Sequence, residues 1–286
     1  MRKKIIILGI NGSFGILFSK LFFKEEEIFV AGVDLSNEAS PLANCSAYIP
    51  SDLTVFSEEI KGLARDADLI IMCLPEHVAY HFLGLYKHHI SKDTLLVDTL
   101  SVKSEITAVY HGNGFTALSL NPMFGPDLDF KGKNMIVVKI KDSDKSDWFT
   151  SRLKTWEVNF TYLTGSEHDT MTSIIQVATH AAVMAFGTVL NQPKIPVTEF
   201  LKVATPPFLN MCTLFARITS GTKNVYWNIQ RENVYASEIR KAMINNLTAL
   251  DKSINEGREE DFNQLIEPNT SNDKAAFKAL SGNFNK

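Results

Sequence analysis

Four short stretches of this chain hold the residues whose types and spacing could do chemistry. Ser101, in "DTLSVK" (Asp98–Lys103), is a hydroxyl just beyond an apolar run. Asn121, in "LSLNPMFGPD" (Leu118–Asp127), is an amide set against a proline. Its carbonyl can accept hydrogen bonds and its NH2 can donate two. It has no proton-accepting pKa near 7, so it cannot serve as a general base. In "EHDTMTSIIQVATH" (Glu167–His180), Gln176, Thr179 and His180 continue a polar series with Asp169, Thr172 and Ser173 at i, i+3/i+4 spacing. On a helix those positions form one stripe, which the surrounding apolar residues mark as the lining of a site.

The fourth stretch, "ILGINGSFG", sets Gly9, Gly12 and Gly15 around Asn11, Ser13 and Phe14. Glycines where a strand turns into a helix allow a tight turn, and they let backbone N–H groups approach a pyrophosphate. The spacing is G-x-x-G-x-x-G, one residue longer than the usual dinucleotide fingerprint. Asp34 follows 19 residues after Gly15, at the end of the next apolar run. A carboxylate there accepts hydrogen bonds from adenosine ribose hydroxyls and repels a 2′-phosphate, which favours NAD over NADP. Leu74 and Pro75, in "CLPEHV", add a further loop to the same edge.

These residues need a scaffold, and the apolar runs predict one. "KIIILG", "IFVAGVD", "ADLIIMCLP" and "TLLVDTL" read as buried strands, with helices over Gly12–Lys24 and near His77–His88. "FTALSL" and "NMIVVKI" read as further strands. Strands alternating with helices predict parallel βαβ units in a doubly wound Rossmann-type sheet. After Leu163 strand alternation ceases. Ser166 with Asp169 reads as a capping box opening one long helix, and helical spacing continues with a break at "TPPF" (Thr205–Phe208). The expected organisation is an α/β nucleotide-binding domain over 1–163 and an all-α substrate and dimerisation domain over 164–286. The polar tail after Ile266 reads as partly loose.

Bulk properties narrow the function classes. The 286 residues carry a net charge of −3 and 45% hydrophobic content, giving no electrostatic case for nucleic acid or an anionic membrane. Cys45, Cys73 and Cys212 show neither metal-ligand nor disulfide spacing and fit a reducing compartment. The start "MRKKIIILGI" is too short in its apolar run for a signal sequence, and no window reads as a membrane helix of roughly 18 apolar residues. A cytoplasmic location is expected. "KHH" (Lys87–His89) reads as a solvated helix end, and no metal site is expected. No spacing supports a Ser/His/Asp hydrolase.

The Gly-rich turn, "DTLSVK", "NPMFGPD", "EHDTMTSIIQVATH", "TPPF" and "FARI" (Phe215–Ile218), in this order, resemble the prephenate dehydrogenases, especially the dehydrogenase half of the enterobacterial bifunctional enzyme. The resemblance implies an NAD-dependent enzyme that removes a hydride from C4 of a cyclohexadienyl acid while a ring carboxylate leaves as CO2. It implies dimerisation through the helical domain, where Phe200, Leu201, Phe208, Leu214 and Phe215 supply apolar surface. It makes Ser101 a neighbour of the C4 substituent and places Gln176 and His180 on the substrate side. Two positions depart from the family pattern: Asn121 stands where the family keeps its basic His, and Thr179 where an Arg clamps a carboxylate. Lys103, His180, Arg217 and Arg240 are candidates to replace that cation. Loss of the base is coherent with a 4-amino substituent, whose lone pair drives hydride loss more strongly than a hydroxyl does. The expected substrate is therefore 4-amino-4-deoxyprephenate, giving 4-aminophenylpyruvate. Prephenate or arogenate oxidation is the second reading, and a catalytically degenerate NAD-binding sensor or scaffold the third.

Overall fold

The apolar runs become the middle of an eight-stranded sheet. The computed structural model describes residues 2–125, 129–192, 194–221, 223–268 and 270–282; Pro126 and Asp127 of the "NPMFGPD" motif lie outside them. In chain order the sheet region comprises β1 (Lys3–Leu8), α1 (Ser13–Phe22), β2 (Ile28–Asp34), β3 (Ala47–Pro50), α2 (Glu58–Asp66), β4 (Leu69–Met72), α3 (Glu76–Tyr86), β5 (Leu95–Asp98), α4 (Ser104–Asn113), β6 (Thr116–Pro122), β7 (Asn134–Lys139), α5 (Asp144–Thr155) and β8 (Asn159–Tyr162). The strand order is β3-β2-β1-β4-β5-β6-β7-β8. Neighbours run parallel except β6 and β7.

Strands covered on both faces must be apolar at nearly every position. Leu69–Met72 and Leu95–Asp98 are accordingly buried throughout. One face packs Phe82, Tyr86, Ile106 and Tyr110 against the sheet, and the other packs Phe18, Phe22, Phe149 and Leu153. The order reverses between β1 and β4, so the turn after β1 and the loop after β4 open side by side. That switch point is where open α/β sheets bind ligands.

The helical region follows. It comprises α6 (Gly165–Thr172), a π-helical segment (Ser173–Ala178), α7 (Thr179–Val189), α8 (Val197–Leu201), α9 (Pro206–Ser220), α10 (Lys223–Glu232), α11 (Ala236–Asn255), α12 (Glu259–Ile266) and α13 (Ser271–Ser281). The long helix starts earlier than the sequence suggested. Thr164 and Glu167, not Ser166 and Asp169, form the capping box, because the Asp169 carboxylate is taken up by backbone amides of another element. Gly187 does not break the helix. A Cβ there would come within 2.1 Å of the Phe215 ring, so glycine allows α9 to cross closely. The "TPPF" break starts α9, with proline in its first turn, where a missing N–H costs nothing. In the tail, Ser271–Ser281 forms α13, exposed along its length.

One expectation needs correcting. Gly165–Val189 is a continuous run of 25 helical residues containing an 18-residue window with a mean hydropathy of 1.3, long and apolar enough to cross a membrane by length and composition. Its start carries His168 and Asp169, both fully buried against the sheet region, and its later turns pack on α9 and α11. Thr, Ser, Gln and His interrupt the apolar stretch along its length.

Candidate active site

At the switch point, Gly9 has φ 77°, and a Cβ on it would lie 2.3 Å from the Cys73 carbonyl oxygen. A Cβ on Gly15 would lie 2.2 Å from the Gly9 carbonyl oxygen. Both positions require glycine, for the turn and for the close packing of α1 on β1. Gly12 precedes α1 and offers no side-chain cap, so the first-turn amides of Ser13, Phe14 and Gly15 face outward with the positive end of the helix dipole. Leu74, on the loop after β4, approaches Gly9, and Pro75 follows it just before α3. The extra residue of the spacing has a role. Asn11 donates its backbone N–H to Asp34 Oδ2 (2.9 Å), its side-chain oxygen accepts from Ser40 N (2.7 Å), and its Nδ2 donates to the Glu38 carbonyl (3.0 Å). It thereby ties the loop after β2 to the glycine turn. Asp34 Oδ1 accepts from Leu35 N (2.8 Å), which fixes the carboxylate at the end of β2. An outward-facing set of helix amides beside a positioned carboxylate fits a dinucleotide.

A second cluster of candidate residues is built where β5, β6 and the long helix meet. Asn121 is the penultimate residue of β6 and is buried. Its Nδ2 lies 2.8 Å from His168 Nε2. His168 Nδ1 lies 2.7 Å from Asp169 Oδ1, and both residues are fully buried. Asp169 also accepts from Lys103 N (2.9 Å), Ser104 N (2.8 Å) and Ser104 Oγ, so it anchors α6 to the start of α4. Burial pushes its carboxyl up, but the hydrogen bonds from His168, Ser104 and the two amides outweigh that and leave it below its ordinary range. Burial pushes the His168 imidazole down, the Asp169 hydrogen bond pushes it up, and the Lys103 ammonium pushes it down; the net direction is down.

Ser101 stands on the loop after β5, where its N–H donates to Glu76 Oε1 (3.3 Å). Asn228 of α10 donates to Glu76 Oε2 (2.5 Å), so one carboxylate clasps the Ser101 loop to the helical region. Gln230, two residues along α10, donates to the Val177 carbonyl (2.8 Å), and Tyr226 sets its ring edge-on to His180 at 4.9 Å. Through α10, Ser101 is thus linked to the π segment that carries Gln176 and precedes His180. Buried Gln176 Oε1 and His180 Nδ1 have no hydrogen-bond partner among the described residues, and burial lowers the His180 pKa. A π turn widens the helix by one residue. Thr179 Oγ1 bonds back to the Ile174 carbonyl five residues earlier (3.3 Å), and Thr179 itself is exposed. The stripe is therefore divided. Asp169, Thr172 and Ser173 are buried, Gln176 and His180 are half-buried, and Thr179 faces outward.

Lys103 does not replace the missing Arg. It is fully buried, with Nζ 2.9 Å from Asp98 Oδ1 and 2.7 Å from the Leu120 carbonyl. An ammonium held in the sheet core cannot reach a substrate carboxylate. Arg240 donates to the Gln230 carbonyl (2.6 Å) and Oε1 (3.1 Å). Sequence reading missed His168, Glu76, Tyr226 and Asn228. Only His168 left a trace, as a charged-polar pair with Asp169 at the head of an apolar helix. Among the described residues no group of three or more His, Cys, Asp or Glu could hold a metal ion.

Residues 164–268 match the dimerisation domain of prephenate dehydrogenase, and residues 26–145 its nucleotide-binding domain. A protein of Streptomyces pristinaespiralis named 4-amino-4-deoxyprephenate dehydrogenase is 30% identical over 265 residues, 92% of this chain and 88% of that one. The chain belongs to the prephenate dehydrogenase family. It is an oxidoreductase of the prephenate dehydrogenase type. The T-protein of Enterobacter agglomerans is 25% identical over 188 residues, 65% of this chain and 49% of that protein. The crystal structure of prephenate dehydrogenase from A. aeolicus, in complex with hydroxyphenyl propionate and NAD+, has the same fold. It gives a TM-score of 0.75, covers 98% of each chain and is 16% identical. The nucleotide-binding match begins at residue 26, after the glycine turn.

Proposed function

We propose that this enzyme oxidises 4-amino-4-deoxyprephenate with NAD, releasing CO2 and 4-aminophenylpyruvate. Bound NAD supplies the hydride acceptor; Gly9, Asn11, Gly12, Ser13, Phe14, Gly15, Asp34, Leu74 and Pro75 hold it. Ser101 and Asn121 stand by the C4 substituent, and Gln176 and His180 take the far side of the substrate. The carrying observation is Asn121, an amide held on buried His168 at the end of β6. A hydroxyl at C4 becomes strongly acidic as hydride leaves and calls for a base, which an amide cannot be. An uncharged amine donates its lone pair and keeps both protons, so no base is needed. The name of the Streptomyces relative supports the same substrate.

The enzyme works as a homodimer through its helical region. Ile174, Ile175, Leu214, Ile244 and Leu247 are exposed there, and the matching family domain is described as a dimerisation domain. Phe186, Phe200 and Phe208 instead pack on one another.

The test follows NADH formation from 4-amino-4-deoxyprephenate, prephenate and arogenate by the unmodified protein and by Asn121→His. The amino substrate should give the highest kcat/KM in the unmodified protein, and Asn121→His should not improve it. Faster turnover of prephenate by the unmodified protein, with a further gain of about 10²–10⁴-fold in Asn121→His, would replace the amino substrate by a hydroxyl one. NADH from none of the three would leave a non-catalytic NAD-binding role.

A further inference from the structure

The chain Asn121–His168–Asp169 has a direction that can be read from elementary hydrogen-bond chemistry. An ionised carboxylate only accepts. Asp169 receives three donors besides the His168 contact, two of them backbone amides, and such an acceptor-only role keeps it ionised. The Nδ1 of His168 must therefore carry a proton toward Asp169. In a neutral imidazole the other nitrogen then has a lone pair and no proton. His168 Nε2, 2.8 Å from the Asn121 side chain, accepts. The Asn121 group facing it must be the NH2, and the amide oxygen is turned to the opposite side. Two fully buried side chains thus remove the rotational ambiguity that a lone amide would have.

We propose that His168 and Asp169 are positioning residues that fix Asn121 with its amide oxygen toward the substrate's C4 substituent, so that the site selects a group presenting N–H donors. This deepens the 4-amino reading and rests on it. As hydride departs from C4, the amine lone pair turns the C4–N single bond into a C4=N double bond, and the nitrogen carries positive charge and two N–H donors with no lone pair. The C1–carboxylate bond then breaks, its electrons complete the aromatic ring, CO2 leaves, and a neutral arylamine results. No proton is transferred. An acceptor fixed in advance stabilises the developing N–H dipoles more than the starting amine, which is how such a contact would raise kcat. An NH2 turned toward the same nitrogen would oppose that charge.

Two measurements test the assignment without depending on turnover. Side-chain ¹⁵N–¹H NMR of the unmodified protein at neutral pH, with the His168 signals assigned from their loss in His168→Phe, should show Nδ1 protonated and Nε2 bare. A protonated Nε2 would overturn the proposal, because the amide would then face the other way. Binding in the presence of NAD should be compared for 3-(4-aminophenyl)propionate, 3-(4-methoxyphenyl)propionate and unsubstituted 3-phenylpropionate. The amino compound should bind about tenfold tighter than the methoxy compound, the effect of one correctly paired against one mispaired hydrogen bond. In His168→Phe that ratio should fall toward one while phenylpropionate still binds. An unchanged ratio in His168→Phe would overturn the role of His168 and leave the 4-amino reading intact. Conversely, the expected NMR tautomer with no turnover of 4-amino-4-deoxyprephenate would reject the substrate and not the polarity. If His168→Phe fails to fold, the tautomer signal can be assigned by its loss in His168→Gln, and the NMR result decides alone.

Discussion

The polar cluster around Asp98 is buried and fully partnered, whereas half-buried Gln176 and His180 at the π segment each hold a buried atom that has no partner among the described residues. Asp98 Oδ1 accepts from Lys103 Nζ (2.9 Å), Ser119 Oγ (2.9 Å) and Leu100 N (3.0 Å), and Oδ2 accepts from Tyr110 OH (2.9 Å). Gln176 Oε1 and His180 Nδ1 have no such partners among the described residues. A buried polar atom without a hydrogen bond destabilises the fold by about 1–3 kcal/mol, and it persists where a ligand completes it. The first cluster holds the carboxyl ends of β5 and β6 in place for Ser101 and Asn121. The second is the pair proposed above to take the substrate.

The sharpest way to break this contrast is to remove one partner from the satisfied cluster. Lys103→Met leaves the Asp98 carboxylate buried with three neutral donors and no cation. Breaking a buried pair in this manner costs about 3–5 kcal/mol. Urea unfolding should report that loss, and a loss below about 1 kcal/mol would show that the pair adds little to the fold. Burial already lowers the Lys103 pKa, with Asp98 pulling it back up. The ammonium is therefore held by its partners and not by solvent.

That cluster also shows how far the chemistry was legible in the chain. Apolar runs such as "LIIM" and "LLVD" announce central parallel strands because both faces are covered, and the glycine turn announces the switch point. The edge strands β3 and β8 did not show. Ala47–Pro50 and Asn159–Tyr162 are half-buried or exposed, so neither carries the apolar signature of a central strand. Lys103 looked like a candidate ligand because charge is visible in a sequence and burial is not. The π segment was invisible because "SIIQVA" suits an α-helix equally well. Thr179 follows the π segment and is exposed, apart from the buried part of the stripe. His168 was passed over because its partner, Asn121, is 47 positions away.

A second, smaller effect should run in the opposite direction. Gln176→Met replaces an unpartnered buried oxygen with an apolar side chain of similar shape. Stability should rise, by about 1 kcal/mol, since the desolvated oxygen disappears and no hydrogen bond is lost. The same change should weaken kcat/KM about tenfold, because the group that completes Gln176 would be the substrate. Thermal unfolding and steady-state kinetics on one sample separate the two readouts. A destabilised variant with unchanged kinetics would assign Gln176 to the fold and abolish its contrast with Asp98.

The smallest effect concerns pH, and its sign follows from burial. His168 and His180 both lie below the ordinary histidine value, for which burial is the leading cause; the neighbours Asp169, Lys103 and Asp98 also act on His168. Above about pH 6.5 each imidazole is neutral in the folded and unfolded chain, and its contribution is fully present. As the pH falls below that value, the unfolded chain takes up a proton that the folded one resists, so stability declines until the folded pKa is passed. Asp169, held below the ordinary carboxyl range, adds its own loss only at lower pH, so the two windows separate. Urea midpoints should therefore fall between pH 7 and the carboxylate range, and His180→Phe should flatten that slope by up to one proton per molecule. Substrate bound to neutral His180 should lower its folded pKa further and so steepen the slope, not flatten it. An equal slope in His180→Phe would mean that His180 does not titrate differently in the two states, and that the π segment is open to water.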